Sequence, residues 1–366
     1  MARSGAALVA ASLPASYQSL AATGMAAPTR PPVRTITAGV KLQADDPAAG
    51  ILRAAAFLQQ AREHLQAAGL TVQTTRIVTQ AYSDYTGRRD AAQRRELFRS
   101  LLKLAQPNSL AVGPARLIGD DPSDVIEAAV TAATLGISST INVGTAATGV
   151  QSPAIDAAAK AIRAIADRDA AANFNFAAVA NVPAGVPFFP AGYHDGGPDS
   201  FALGLEAAGL FLGICREVRN LDAAGPALTE AYGAALRPIE QLAMTLAAES
   251  GWHYRGIDPT PAQWGDNSIG GAVEALTGSG FGLPGTLAAC RVLTEAVRAA
   301  PVRQVGFRGL FLPPMEDATL AARAHDNFGL DSLLSYSAVC GTGPVSYTHL
   351  TLPTTWSRCS ARGSAC

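Results

Sequence analysis

Several short segments of this chain put chemically capable side chains where a strand or helix gives out. Asn181–His194, NVPAGVPFFPAGYH, follows a buried apolar run. Pro183, Pro187 and Pro190 each fix φ and remove a donor, so the segment is a rigid irregular loop. Phe188, Phe189 and Tyr193 on such a loop suit a pocket wall. Asn181 is then a candidate substrate-binding amide and His194 a candidate acid/base. A histidine held structurally in the loop is the competing reading. Gly256–Ser268, GIDPTPAQWGDNS, follows another strand-like run. Asp258 at a strand exit is placed for catalysis in an α/β fold, or, before Pro259, for a turn. Asp266, Asn267 and Ser268 are candidate substrate binders, with helix capping the alternative for Asn267 or Ser268. Arg76 interrupts an apolar run and must find a carboxylate, the protein's own or a ligand's. Cys340, in SYSAVCGTG, precedes Gly341 and Gly343, so a loop can present its sulfur as a nucleophile or redox thiol. The catalytic expectation is Cys340, His194 and Asp258; the binding expectation is Arg76, Asn181, Asp266, Asn267 and Ser268.

Other motifs carry less. No His, Asp, Glu or Cys cluster has ligand spacing, so no metal is expected, and no cofactor is identified. Gly280–Gly285, GFGLPG, formally matches a dinucleotide fingerprint. That fingerprint needs a strand before it, and Gly270–Leu276 reads as helix instead. A connection between two helices is the simpler reading, with the amides before the second helix as a possible anion cradle. Of the five cysteines, Cys359 and Cys366 fall near the C-terminus. Cys215, Cys290 and Cys340 are far apart, which fits reduced thiols in a cytoplasmic protein. Cys215 and Cys290 lie in apolar helical runs and read as core.

These residues need elements to hold them. Val33–Val40 reads as a strand. Asp46, Pro47 and Gly69 then mark the start and end of a helix, with Ile51, Leu52, Ala55, Leu58 and Leu65 on its apolar face and His64 on the solvated one. Strands are expected at 70–79, 109–113, 137–143 and 174–182. Helices are expected between them at 88–104, 121–136 (capped by Asp121) and 153–168. Phe201–Val218 and Ala227–Glu249 read as helices and Trp252–Ile257 as a strand. A helix over 285–299, a strand over 305–312 and a helical stretch over 315–324 follow, and Leu333–Cys340 leads into a loop. Alternating helices and nearly continuous apolar strands imply an α/β architecture, a barrel or a doubly covered sheet.

The chain has 366 residues, 48% hydrophobic and 16% charged, with net charge -1. This is too apolar for disorder, and its charge balance argues against nucleic acid as a partner. No apolar run reaches the ~18–20 residues of a membrane span, so no membrane partner is expected. A small-molecule ligand and a possible homo-oligomer remain. Residues 1–32 hold no acidic residue and read as an extension or targeting segment. Residues 33–343 read as a single α/β domain. Val345–Thr355, VSYTHLTLPTT, resembles a translated sequencing adaptor, so residues 344–366 read as a non-native tail.

Taken in order, VRTITAGV, TTRIVTQ, FNFAAVANVPAGVPFFPAGYH, GIDPTP, SIGGAVEALTG, GFRGLFLPPMED and SYSAVCGTG resemble the bacterial and archaeal domain-of-unknown-function family 711, over about residues 33–343. The resemblance implies a large α/β barrel similar to pyruvate formate-lyase and other glycyl radical enzymes, truncated here at its C-terminal side. It also implies that Cys340 is a counterpart of the thiol loop inside that barrel. No Arg-Val-x-Gly-Tyr/Phe radical motif occurs in residues 33–343. The expected function is that of a cytoplasmic enzyme acting on a small polar or carboxylated metabolite, with a non-catalytic metabolite-binding or regulatory protein as the alternative.

Overall fold

The computed structural model describes residues 30–87, 89–113, 122–324 and 326–340. Local signals account for much of it. Val33–Val40 is strand β1. Asp46 accepts a hydrogen bond from Ala49 N, Pro47 opens the first turn, and helix α1 runs Pro47–Ala67. Strand β2 is Val72–Ala81. After a short helix α2, Ser83–Thr86, a reciprocal capping box between Asp90 and Gln93 starts α3, Ala91–Ala105. Then come β3 (Ser109–Gly113), α4 (Pro122–Thr134), β4 (Ser139–Thr145), β5 (Gly149–Val150), α5 (Ser152–Arg168) and β6 (Phe176–Ala180). The second half holds β7 (Ser200–Leu205), α6 (Ala208–Val218), α7 (Leu221–Ser250), β8 (His253–Pro261), α8 (Ile269–Thr277), α9 (Thr286–Arg298), α10 (Ala318–Arg323) and α11 (Leu330–Cys340).

The architecture is α/β. One sheet has the order β3-β2-β1-β7-β8 and a smaller one β5-β4-β6. A parallel bridge between Ala111 and Ser138 joins β3 to the start of β4. Thus β6, β4, β3, β2 and β1 run parallel, β7 runs antiparallel to β1, and β8 runs parallel to β7.

The main sheet has two different faces. Ile36, Ala38, Ile77, Leu203, Leu205 and Ile257 point into a continuous apolar core shared with the helices. Burying each such side chain is worth about 1.5–3 kcal/mol. The opposite face carries Thr37, Gly39, Arg76, Val78, Gly204 and Asp258. Irregular segments around 182–198 and 304–316 cover it, not helices.

Four expectations need correction. Phe201–Leu205 is strand, not helix: its unbroken apolar run has no period because the strand lies in mid-sheet, buried along its whole length. Val305–Leu312 is not a strand; only Gln304 bridges β8, and the segment is pinned by side chains. On α1, Ala54, Phe57 and Ala61 join Ile51, Leu58 and Leu65 inside, while Leu52 is exposed. His64 is not on a solvated face; it is partly covered, with Nδ1 3.8 Å from Glu249 of α7. Asp121 lies outside the described residues.

Candidate functional site

The proline-rich loop is laid onto the sheet by its own polar groups. Thr37 Oγ1 donates to Pro187 O at 2.7 Å, His194 N donates to Thr79 O at 2.9 Å, and Tyr193 OH donates to Val182 O at 3.0 Å. Two glycines make the approach possible. A Cβ at Gly39 would lie 2.7 Å from the His194 ring, and one at Gly204 2.7 Å from the Phe188 ring. Phe188 meets Phe311 edge-on at 5.1 Å, forming a small apolar plug with Val186 and Ala262.

His194 is buried, and both its ring nitrogens are taken. Gly196 N donates to Nδ1 at 3.2 Å, which leaves Nε2 as the N–H donor to Pro198 O at 3.1 Å. Burial lowers its pKa below the ordinary 6.5, against the Pro198 carbonyl and Asp195, which raise it. Asp195 is held in turn by Arg255 at 2.7 Å. Beside the ring, a cavity of about 10 Å³, the space of one water, is lined by Thr37, Gly39, Val78, Tyr193, His194 and Arg255.

Asp258 is fully buried on β8 and its carboxylate meets backbone donors. Oδ1 accepts from Thr260 N at 3.0 Å and Arg308 N at 3.2 Å, and Oδ2 accepts from Phe307 N at 2.8 Å. Burial raises its pKa, while the Thr260 hydroxyl and the backbone donors pull it down. Gly306, at φ +83°, is the only residue type that fits there, because a Cβ would overlap the carboxylate. Asp258 thus pins the 306–309 turn to the sheet.

The remaining expected residues separate. Ser268 caps α8 through Gly271 N and donates to Asp317 Oδ1 at 2.6 Å. Asp266 is exposed. Asn181 is exposed at φ +54°, a conformation Asn tolerates, and its Oδ1 accepts from Ala146 N at 3.1 Å, tying the end of β6 to that of β4. Cys340 is the last residue of helix α11 and not a loop residue. It is fully buried in the helix-side core, near enough to Cys290 to act on its titration. Burial pushes the Cys290 thiol up to about 12. Residues 341–343 lie outside the described residues. The GFGLPG segment links α8 to α9, and its Gly282 amide is already satisfied by Thr286 Oγ1 at 3.0 Å.

Arg76 and Asn267 belong to one polar group, together with residues that the sequence reading missed. It lies where β1 and β2 begin and β7 and β8 end. Arg76 donates to Pro187 O at 3.4 Å and stacks over Phe189 at 4.8 Å. Arg34 sits 5.8 Å over Trp264 and donates to Gln73 Oε1 at 3.0 Å. Gln73 Nε2 continues to Glu206 at 2.8 Å, and Asn267 Nδ2 reaches the same carboxylate at 3.3 Å. Arg34 is in register with no residue of β7: Val33 pairs with Leu205 and Thr35 with Gly204. Such a bulge re-aims a side chain. Glu316 lies near enough to Arg34 and Arg76 for their charges to act on its titration. Burial raises its pKa and the two guanidiniums lower it.

Glu316 is held by its backbone: its N donates to Pro313 O at 3.0 Å and its O accepts from Gly265 N at 2.8 Å. The adjoining Asp317 anchors the segment by accepting from Ser268 Oγ, Gly270 N, Thr319 N and Leu320 N. The available sequence signal was Glu316-Asp317 directly after Pro313-Pro314, a rigid turn carrying two acids. Arg34 and Arg76 thus each lie against an aromatic ring at this end of the sheet.

Among the described residues, no group of three or more His, Cys, Asp or Glu is placed to hold a metal ion. No described helix is long and apolar enough to cross a membrane.

The family model described as Uncharacterised ACR (DUF711) matches residues 25–344. A UPF0210 protein of Pyrobaculum islandicum is 33% identical over 216 residues, covering 56% of this chain and 47% of that relative. A UPF0210 protein of Desulforudis audaxviator is 30% identical over 229 residues, covering 58% and 50%. The chain spans about half the length of the curated relatives it matches.

Proposed function

The chain belongs to the Uncharacterised ACR (DUF711) family, and from that premise we propose that it binds a small carboxylated metabolite at Arg34 and Arg76. The single observation that carries this reading is the pair of guanidiniums backed by aromatic rings at one end of the sheet, Arg34 over Trp264 and Arg76 over Phe189. A guanidinium suits bidentate contact with a carboxylate, and a ring under one face holds the fork in place. Asn267 and the turn before it complete the wall, as Asn267 bonds Glu206 and Trp264 lies under Arg34. His194, Asp258 and Ser268 position backbone in this reading, and Cys340 stays in the core.

The barrel implied by the sequence resemblance is part of the same proposal. Its support is the run of five parallel strands followed by the reversed pair β7 and β8, with small and polar residues on the loop-covered face. Buried thiols at Cys215, Cys290 and Cys340 support a cytoplasmic setting.

The test is a titration of the protein with small carboxylates and with size-matched amines, read by ligand-observed NMR. Carboxylates bind, and the Arg34→Ala/Arg76→Ala double variant weakens them at least tenfold. Unchanged affinity in the double variant overturns the proposal. Mass spectrometry of the incubated ligand then separates an enzyme from a non-catalytic binder.

A further inference from the structure

The strand array has two edges, and they differ. At one, the chain covers β8 itself: Ile257 N donates to Arg303 O at 2.9 Å and Val305 N donates to Ile257 O at 3.0 Å. At the other, β6 pairs with β4 and with no other strand among the described residues. Just past the end of β6, Asn181 N donates to Gly144 O at 2.8 Å. The polar backbone groups of a strand alternate between its two edges, so those of Ala177 and Val179 also face β4. Those of Phe176, Ala178 and Ala180 face away from it. The Phe176 N–H turns back to Asn173 O. The outer edge therefore presents the N–H of Ala178 and Ala180 and the C=O of Phe176, Ala178 and Ala180. Both of these alanines are exposed. Native edge strands are guarded by charges, prolines, bulges or covering segments. Phe176–Ala180, FAAVA, contains no charge and no proline, and residues 170–193 hold no charged residue at all.

We propose that β6 is the interface between two copies of this chain, paired antiparallel about a two-fold axis at Ala178. This inference does not depend on the ligand reading above. In that arrangement the Ala178 N–H donates to the Ala178 C=O of the second copy, and the Ala180 N–H to its Phe176 C=O, each bond being made twice by symmetry. Every outward N–H finds an acceptor, and the Ala180 C=O is left to water at the rim. Charge selects the occupant. A strand bearing charge finds no counter-charge along residues 170–193, whereas a second copy brings none to repel.

Sedimentation velocity over a range of concentrations reads the oligomeric state, and hydrogen exchange followed by NMR reads the place. Wild type is expected to dimerise. The Ala178 and Ala180 amides should slow as the dimer fills, while the Val179 amide is slow throughout. Ala178→Pro removes one outward N–H and leaves the bonds to β4, since proline is tolerated where an edge strand's N–H faces solvent, and it should weaken the dimer at least tenfold. Ala178→Lys is the second variant, for the case that the proline variant fails to fold. Its position is exposed, and the introduced charge meets its own copy across the axis, so the dimer should again weaken at least tenfold, and less so in high salt. A wild type that stays monomeric at every concentration overturns the proposal. So does a dimer that a folded variant leaves unchanged, or one in which the Ala178 and Ala180 amides exchange as fast as in the monomer.

Discussion

The two faces of the main sheet bury polar residues for different reasons. Behind the sheet, helices bring their own hydrogen bonds, so the side chains there are mostly apolar, and the buried Thr75 and Thr79 of β2 bond to the side chains of Arg62 and Tyr85. In front, irregular segments arrive with unpaired backbone groups, and buried backbone N–H and C=O must be met. Side chains meet them: Thr37 for Pro187, Asp258 for Phe307 and Arg308, His194 for Gly196 and Pro198. A buried polar residue on that face is therefore an anchor before it is a candidate for chemistry. The proposed ligand residues are the charged pair Arg34 and Arg76, each over an aromatic ring.

The largest expected effect tests the anchors. Gly306→Ala forces a Cβ against the Asp258 carboxylate at a positive φ, and should cost about 3–5 kcal/mol from strain and lost hydrogen bonds. Urea denaturation measures it. A cost under about 1 kcal/mol, the scale of an ordinary surface change, breaks the contrast between the faces.

A smaller effect comes from His194. Its folded pKa lies below the ordinary 6.5, so the unfolded chain takes the proton first. The stability it supports is complete above that value and is lost as pH falls below it toward the folded-state pKa. Melts from pH 8 to pH 5 should show this decline, and His194→Gln should flatten it. An identical decline in the variant removes His194 as the clasp.

The smallest stability effect belongs to Arg76→Lys. The charge stays but the fork over Phe189 is lost, so stability should change by less than about 1 kcal/mol. Ligand affinity should still drop, because an ammonium cannot pair bidentately. A large stability loss would move Arg76 from the ligand residues to the anchors and sharpen the comparison the other way.

The elements that local signals specify were legible. Asp46-Pro47 starts α1, Ser109–Gly113 is a strand to the residue, and the proline-rich loop is irregular because proline leaves no other choice. Where burial erased the pattern, legibility ended. Phe201–Leu205 looked helical because a strand inside a sheet shows no alternation. Val305–Leu312 looked like a strand, yet Asp258 and Thr260 hold it as a turn from 49 or 50 positions away. Cys340 was chemically attractive beside its glycines but ends a helix in the core. Arg76 and Asn267 were recognised singly, while Arg34, Glu206 and Glu316 were not, because a cluster drawn from five segments has no spacing to read.

The sequence by itself determined the α/β class, most helix starts, the rigid loop and the family. These rest on caps, prolines and periodicity, which act over a few residues. Only the tertiary structure decided which polar side chains are consumed as anchors and which face one another as charges. That choice depends on which backbone donors arrive from distant segments, as the amides of Phe307 and Arg308 arrive at the buried Asp258 carboxylate.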